Sequence, residues 1–301
     1  MKTIMITGGN SGLGFECAKH IAEYSDKYQI ILACRNEKKA DTAKAILTKE
    51  TGNPNILAMK LDVSSLASVR GFVAQYKEQK LPLLDGLICN AGISGSHTGQ
   101  TADGFDIVFE TNHLGHFLLT NLLLPYMETS AKILVVSSDM HCPPGPKISW
   151  PGTAMLAKPD EKLAKSFKRY SYSKLCNLYF VYELSKRLTR IHSAITVNAF
   201  NPGFMVDTNF MSKKLMGIAG AIFAKIVDRD GSLDQSSTAL AELAMNSDDV
   251  QVSGKYYDRS THLKRTSELS YNTNYALELW NRSVVYTKLS SGETLPGLLE
   301  N

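Results

Sequence analysis

Tyr170 and Lys174 close the run Tyr170-Ser171-Tyr172-Ser173-Lys174 and are four residues apart. On a helix that spacing places both side chains on one face, one turn apart. A free tyrosine hydroxyl titrates near about 10, too high to exchange protons readily at neutral pH. A neighbouring ammonium favours the phenolate and lowers that pKa. The pair therefore suits a proton donor for a carbonyl becoming an alcohol. The same spacing also suits a solvated helix face carrying an amphipathic tyrosine, so the rest of the chain must decide.

A second stretch points to a cofactor. Thr7-Gly8-Gly9-Asn10-Ser11-Gly12-Leu13-Gly14 follows a short apolar run and leads directly into a helical pattern. Glycines let a backbone turn tightly and approach a pyrophosphate, whose charge then rests on the helix N-terminus. The spacing Gly8-x-x-x-Gly12-x-Gly14 is a variant of G-x-G-x-x-G, and its place between strand and helix marks a dinucleotide site. The second strand ends in Ala33-Cys34-Arg35-Asn36, with no carboxylate before Glu37. A carboxylate there would hold an adenosine 2′-hydroxyl and repel a 2′-phosphate. Arg35 can pair with that phosphate through its planar guanidinium, so the expected cofactor is NADP(H).

These residues need a scaffold, and the hydrophobic pattern supplies one. Strands are predicted at Thr3–Ile6, Gln29–Cys34, Ile56–Leu61, Gly86–Cys89, Lys132–Val136, Ile195–Ala199 and Lys255–Tyr257. Helices are predicted at Gly12–Tyr24, Lys38–Thr48, Leu66–Gln79, Asp106–Met127, Tyr170–Leu188 and Asp234–Met245. The early strands are continuous in Ile, Leu and Val, as in strands buried on both faces. Alternation of this kind implies an α/β, doubly wound Rossmann-type domain: a seven-stranded, mostly parallel sheet with helices on both sides, spanning residues 1–301. Two segments interrupt it. Residues 139–169 are proline-rich, and residues 204–233 have an apolar middle, as in a loop that covers a ligand.

Composition narrows the function classes. The net charge is +4 without any Lys/Arg block, which argues against nucleic acid. The five cysteines are scattered with no Cys-x-x-Cys, as expected of reduced thiols in a cytoplasmic protein. Cys142 and Cys176 fall near the proposed site, where packing is the simpler account. The opening strand reads as the start of the domain, with no signal peptide before it. The longest apolar run, Leu215–Ala224, is too short to span a bilayer. His113, His116 and His141 invite a metal reading, but their pattern lacks converging ligands, and helix packing beside the cofactor accounts for the first two. No G-x-S-x-G elbow supports a hydrolase.

Taken in order, the motifs resemble the short-chain dehydrogenases/reductases over nearly the whole chain. The glycine turn Thr7–Gly14 is the first. Leu61-Asp62-Val63 matches the segment whose aspartate meets the adenine ring, and Asn90-Ala91-Gly92 the one beside the cofactor ribose. Asn112, Ser138, Tyr170 and Lys174 match the catalytic tetrad, and Asn201-Pro202-Gly203 matches the turn near the nicotinamide. Thr208 follows in Pro-Gly-Phe-Met-Val-Asp-Thr. Ala-Cys-Arg, Asn-His-Leu-Gly-His-Phe and Ser-Lys-Leu-Cys-Asn resemble the branch containing retinol dehydrogenases and light-dependent protochlorophyllide reductases. The 139–169 insertion is shorter than expected of the latter, and the sequence reads as lacking the N-terminal membrane anchor common in the former.

The resemblance implies hydride transfer between NADPH and a carbonyl or alcohol carbon, without a metal. Tyr170 would move the proton, Ser138 would donate to the substrate oxygen, and Lys174 would hold the ribose and lower the Tyr170 pKa. Asn112 would hold a water linking Lys174 to solvent. Met205, Phe210, Met211, Leu215, Met216, Ile218, Ile222 and Phe223 imply a small-molecule substrate that is bulky and apolar. Lys213, Lys214 and Lys225 beside them admit contact with a membrane surface. The alternatives are light-driven reduction of a tetrapyrrole C=C bond, and a non-catalytic NADP-binding sensor or partner module. Relatives pair through helices equivalent to 106–127 and 170–188, or are monomers, so both states are open.

Overall fold

A computed structural model describes residues 1–94, 97–143, 147–159, 168–203, 232–245 and 252–300. Its first half is a regular β/α succession: β1 (Lys2–Thr7), α1 (Gly12–Tyr24), β2 (Tyr28–Cys34), α2 (Glu37–Thr51), β3 (Ile56–Lys60), α3 (Leu66–Glu78) and β4 (Leu84–Cys89). Then come α4 (Ile107–Phe109), a π-helical turn (Glu110–Leu114), α5 (Gly115–Leu123) and β5 (Met127–Val136). After the short α6 (Thr153–Leu156) follow α7 (Lys168–Arg190), β6 (Thr196–Asn201), α8 (Leu233–Met245), β7 (Tyr256–Asp258) and α9 (Thr273–Thr287).

The strands form one seven-stranded sheet in the order β3-β2-β1-β4-β5-β6-β7, and every described pair is parallel. The order reverses between β1 and β4, so a crevice opens at their carboxyl ends, where α/β sheets bind ligands. Alternate strand residues feed opposite cores. Met5, Ile31 and Ala33 pack with α3, α5, α7 and Trp280 of α9 on one face. Ile4, Ile6, Ile30 and Leu32 pack with α1, α2 and α8 on the other.

The predicted Asp106–Met127 helix is not continuous. The Gly115 N–H donates to the carbonyl of Glu110, five residues back, across the π-helical turn. A Cβ on Gly115 would lie 1.9 Å from the Val63 carbonyl oxygen, so only glycine lets the helix sit against the β3–α3 turn. Pro125 then tightens the chain into a 3-10 turn, and Met127 begins β5 instead of ending the helix. Helix α9 has no counterpart among the predicted elements. It lies on α7, with Trp280 stacked on Phe180 at 6.2 Å and edge-on to Phe117 at 5.0 Å. Among the described residues, no helix is long and apolar enough to cross a membrane. The five cysteines are free; Cys142 is exposed and the other four are buried.

Candidate active site

The cradle at the end of β1 is made mainly of backbone. Gly8 and Gly12 have φ of +68° and +55°, in the left-handed region that favours glycine. Gly8 N–H donates to Ala33 O at 2.8 Å, which binds the turn to β2. A Cβ on Gly14 would meet Asn90 Nδ2 at 2.6 Å and the Gly8 carbonyl at 2.8 Å. Ser11 occupies the N-cap of α1 without a side-chain cap, and the first turn carries no acid. Its N–H groups are thus available to an anion, and the turn fits a dinucleotide pyrophosphate. Asn10 is half-buried beside it.

The Thr7 hydroxyl ties the cradle to β4. Its oxygen accepts the N–H groups of Asn90 and Ala91, both at 2.9 Å. Asn90 Nδ2 donates in return to Thr7 O at 2.9 Å. Gly92 passes close to Asn112, whose Oδ1 would lie 3.2 Å from an added Cβ. Leu13 and Val63 put their side chains into the two cores. Asp62 Oδ1 accepts from Ser64 N at 3.0 Å and Ser64 Oγ at 2.6 Å, closing the turn that starts α3. Arg35 is exposed at the end of β2. Glu37, the carboxylate nearest in sequence, pairs with Lys60 at 3.2 Å.

The second part of the site lies at the carboxyl end of β5 and on α7. The Tyr170 side chain is hydrogen-bonded to Ser138. Ser138 also caps the turn after β5, with Oγ accepting from Met140 N at 3.2 Å. Its carbonyl accepts from His141 Nδ1 at 2.7 Å, and His141 Nε2 accepts from Ser267 N at 3.2 Å. The histidine thus holds the Ser138 backbone to a C-terminal loop. Lys174 is 4% exposed; Nζ donates to Val136 O at 3.0 Å and lies 5.4 Å from the Tyr170 ring centroid. Asn112, on the π-helical turn, accepts from Ile93 N at 2.8 Å, donates to Ile93 O at 3.0 Å and donates to Ser173 Oγ at 2.9 Å.

The electrostatics differ from the pattern expected of the Tyr170/Lys174 spacing. Burial pushes the Tyr170 hydroxyl well above its ordinary value, with the Ser138 hydrogen bond acting in the opposite sense. Burial pushes Lys174 down to about 8. Burial therefore opposes the lowering of the Tyr170 pKa that the spacing predicts. Both groups are removed from water, which penalises the charged form of each.

The remaining predicted residues divide. Asn201 Oδ1 accepts from Gly203 N at 3.1 Å, Pro202 O accepts from Ser236 Oγ at 2.8 Å, and Gly203 has φ of +75°. Asn201 Nδ2 also donates to Asp258 Oδ1 at 2.6 Å, bracing the turn against β7. Thr208 and the apolar run of 204–227 lie outside the described residues. His113 does not converge with His116: its Nε2 meets Ser283 Oγ of α9 at 2.9 Å. Residues not foreseen as part of the site are Ser173, which links Asn112 to α7, and His116, whose Nε2 meets Thr7 Oγ1 at 2.9 Å. The legible signal for His116 was its place one helical turn after Asn112.

Comparison with known proteins agrees with this geometry. Residues 2–150 match the family model described as short chain dehydrogenase. Retinol dehydrogenase 13 of Homo sapiens is 35% identical over 297 residues, covering 94% of this chain and 83% of that protein. The chloroplastic short-chain dehydrogenase TIC 32 A of Brassica napus is 32% identical over 292 residues, covering 94% and 87%. Among solved structures, an uncharacterized protein from Mycobacterium paratuberculosis superposes with a TM-score of 0.70 at 28% identity, covering 96% of this chain and 94% of that one. The chain belongs to the short-chain dehydrogenase/reductase family.

Proposed function

We propose that the chain is an NADP-dependent oxidoreductase that moves a hydride between NADPH and a carbonyl or alcohol carbon of a bulky, apolar substrate. The observation that carries this reading is the hydrogen-bonded Ser138–Tyr170 pair, with Lys174 beside it and the glycine cradle across the same crevice. When bound, the cofactor supplies the hydride, and the protein supplies position and polarity. The Gly8–Gly14 turn and the N-terminus of α1 would hold its pyrophosphate, and Arg35 its 2′-phosphate. Asn90-Ala91-Gly92, Lys174 and the Pro202-Gly203 turn would hold the nicotinamide half, with Thr208 following that turn in sequence.

Ser138 would donate to the substrate oxygen as charge gathers there. Tyr170 stays protonated, since burial raises its pKa, and so supports the reductive direction: its O–H can pass a proton to an alkoxide. Asn112 holds the Ile93 strand exit and α7 at one separation. The apolar residues of 204–227 and the retinol dehydrogenases among the relatives favour a retinoid or similar apolar carbonyl over a tetrapyrrole. The free cysteines favour the cytoplasm.

Titration of NADPH and NADH against wild type and Arg35→Asp tests the cofactor assignment. Loss of one charge-assisted contact costs about 1.5–3 kcal/mol, so NADPH should bind roughly tenfold or more tighter than NADH, and the variant should lose that preference. Equal affinities in the wild type would refute it. A panel of small polar ketones, all-trans-retinal, polycyclic ketones and protochlorophyllide, in light and dark, tests the substrate class. Higher kcat/KM for the small polar ketones, or turnover only under illumination, would overturn it.

A further inference from the structure

His116 is 2% exposed and stands between the two parts of the site. The hydrogen-bond directions around it follow from counting. Thr7 Oγ1 already accepts two backbone N–H groups, from Asn90 and Ala91. Its lone pairs are then occupied, so its own O–H must be given away. Ile88 O is 3.4 Å from it, whereas His116 Nε2 is 2.9 Å from it. Nε2 is therefore the acceptor and carries no proton. The other ring nitrogen, Nδ1, keeps the proton and donates it to the backbone carbonyl of Asn112, one turn back. A neutral ring in one tautomer satisfies every partner. Burial, with Lys174 nearby, holds the imidazolium form off.

We propose that His116 is a positioning residue that couples the dinucleotide cradle to the Asn112 anchor of helix α7. The coupling is continuous: Asn90 and Ala91 to Thr7, Thr7 to His116, His116 to Asn112, and Asn112 through Ser173 Oγ to the Tyr170 carbonyl. The π-helical turn departs from the regular α-helical bonding pattern at Asn112, and such turns recur at functional sites. A bond from the ring to the Asn112 carbonyl restrains the residue whose side chain grips Ile93 and Ser173. A bond from Thr7 to the same ring makes that restraint depend on the strand that carries the cradle. His113, next to Asn112 in sequence, faces Ser283 instead and takes no part.

The proposal rests on the cofactor reading above, and its test separates the two. Ring-nitrogen NMR of the full-length protein without cofactor should show His116 neutral, with Nδ1 protonated and Nε2 bare; the opposite tautomer overturns the proposal whatever the cofactor does. Three variants then divide the two bonds. His116→Gln leaves an acceptor near the Nε2 position, His116→Asn leaves a donor near the Nδ1 position, and His116→Leu leaves neither. NADPH affinity should weaken about tenfold in Gln, Asn and Leu alike, because the coupling needs both bonds and each variant breaks at least one. Thermal unfolding without cofactor should instead separate the variants. A Gln or Asn variant with near wild-type NADPH affinity, or affinity that tracks the unfolding temperature across the set, would reduce His116 to a core histidine. If Leu does not fold, the Gln and Asn pair still decides. A wild type that binds no NADPH refutes the cofactor reading, and the tautomer measurement still judges the network.

Discussion

The cradle at β1 and the Ser138–Tyr170–Lys174 cluster face one crevice but are built on different principles. The cradle is backbone: two glycines at positive φ, a third that admits no Cβ, and an α1 N-terminus without an acid. Its residues lie within eight consecutive positions, and Ala33 and Asn90 of the neighbouring strands hold the turn in place. The cluster is side chain: Ser138, Tyr170, Lys174 and Asn112 are joined by partners up to 61 residues apart in sequence. Its groups are buried, so each protonation state is set by surroundings and not by residue type. A region made of backbone tolerates change in neighbouring side chains but no added atom. A region made of buried side chains tolerates a change of shape better than the loss of a single polar group.

The largest expected effect falls on the cluster. Tyr170→Phe keeps the ring and removes only the hydroxyl, so turnover should fall about 10²–10⁴-fold while NADPH binding is largely kept. Isothermal titration beside steady-state kinetics checks both halves; near-normal turnover would take the residue out of the chemistry.

The next effect concerns the scaffold behind the cluster. Arg187 of α7 pairs with Glu183 at 2.7 Å, donates to Leu298 O at 3.0 Å and Glu300 O at 2.9 Å, and lies 4.6 Å over the Trp280 ring. Arg187→Leu leaves the 4% exposed Glu183 without its cation and should cost about 3–5 kcal/mol in urea unfolding. A loss under about 1 kcal/mol would show that the C-terminal segment is held by packing alone.

Gly14→Ala sharpens the contrast on the cradle side. In an open helix the change would stabilise by up to about 1 kcal/mol. Here the new methyl meets Asn90 Nδ2, itself bonded to Thr7 O, and the Gly8 carbonyl. The expected result is a destabilisation of about 1–3 kcal/mol and weaker NADPH binding than in wild type. A more stable variant with unchanged affinity would show that the turn is looser than its contacts imply.

The smallest effect is on acid stability. Burial lowers His113 to about 3 and His116 to about 4, from 6.5. Between roughly pH 6.5 and 4 the unfolded chain binds more protons than the folded one, so folding stability should fall as pH falls through that window. Denaturant titrations at pH 7, 6 and 5 on wild type and His113→Gln should show a shallower pH slope in the variant. Equal slopes would mean that His113 takes its proton without leaving the core.

Much of the fold was legible because it depends on local pattern. Helix α1 falls on Gly12–Tyr24 as predicted, and each predicted strand overlaps an observed one. Buried parallel strands are continuous apolar runs, which periodicity and length report well. The break in the 106–127 helix was not legible, since nothing local to Gly115 announces the Val63 carbonyl it must pass. Helix α9 was missed for a related reason. Its buried residues Ala276, Leu279, Trp280 and Ser283 match a surface provided by α7 and the π-helical turn, and the Ser283 hydroxyl answers His113.

The amino-acid sequence by itself determined the alternating α/β order, the glycine turn between the first strand and helix, an Arg35 with no acid before Glu37, and which residue types could carry the chemistry. Each of these is a matter of local backbone freedom or of side-chain inventory. Tertiary structure alone decided how those residues behave. It drove the Tyr170 hydroxyl up and the Lys174 ammonium down, gave His116 one tautomer between Thr7 and Asn112, and turned Glu37 toward Lys60. These depend on desolvation and on partners brought from distant strands, and the free energy of a charge or a hydrogen bond belongs to its surroundings.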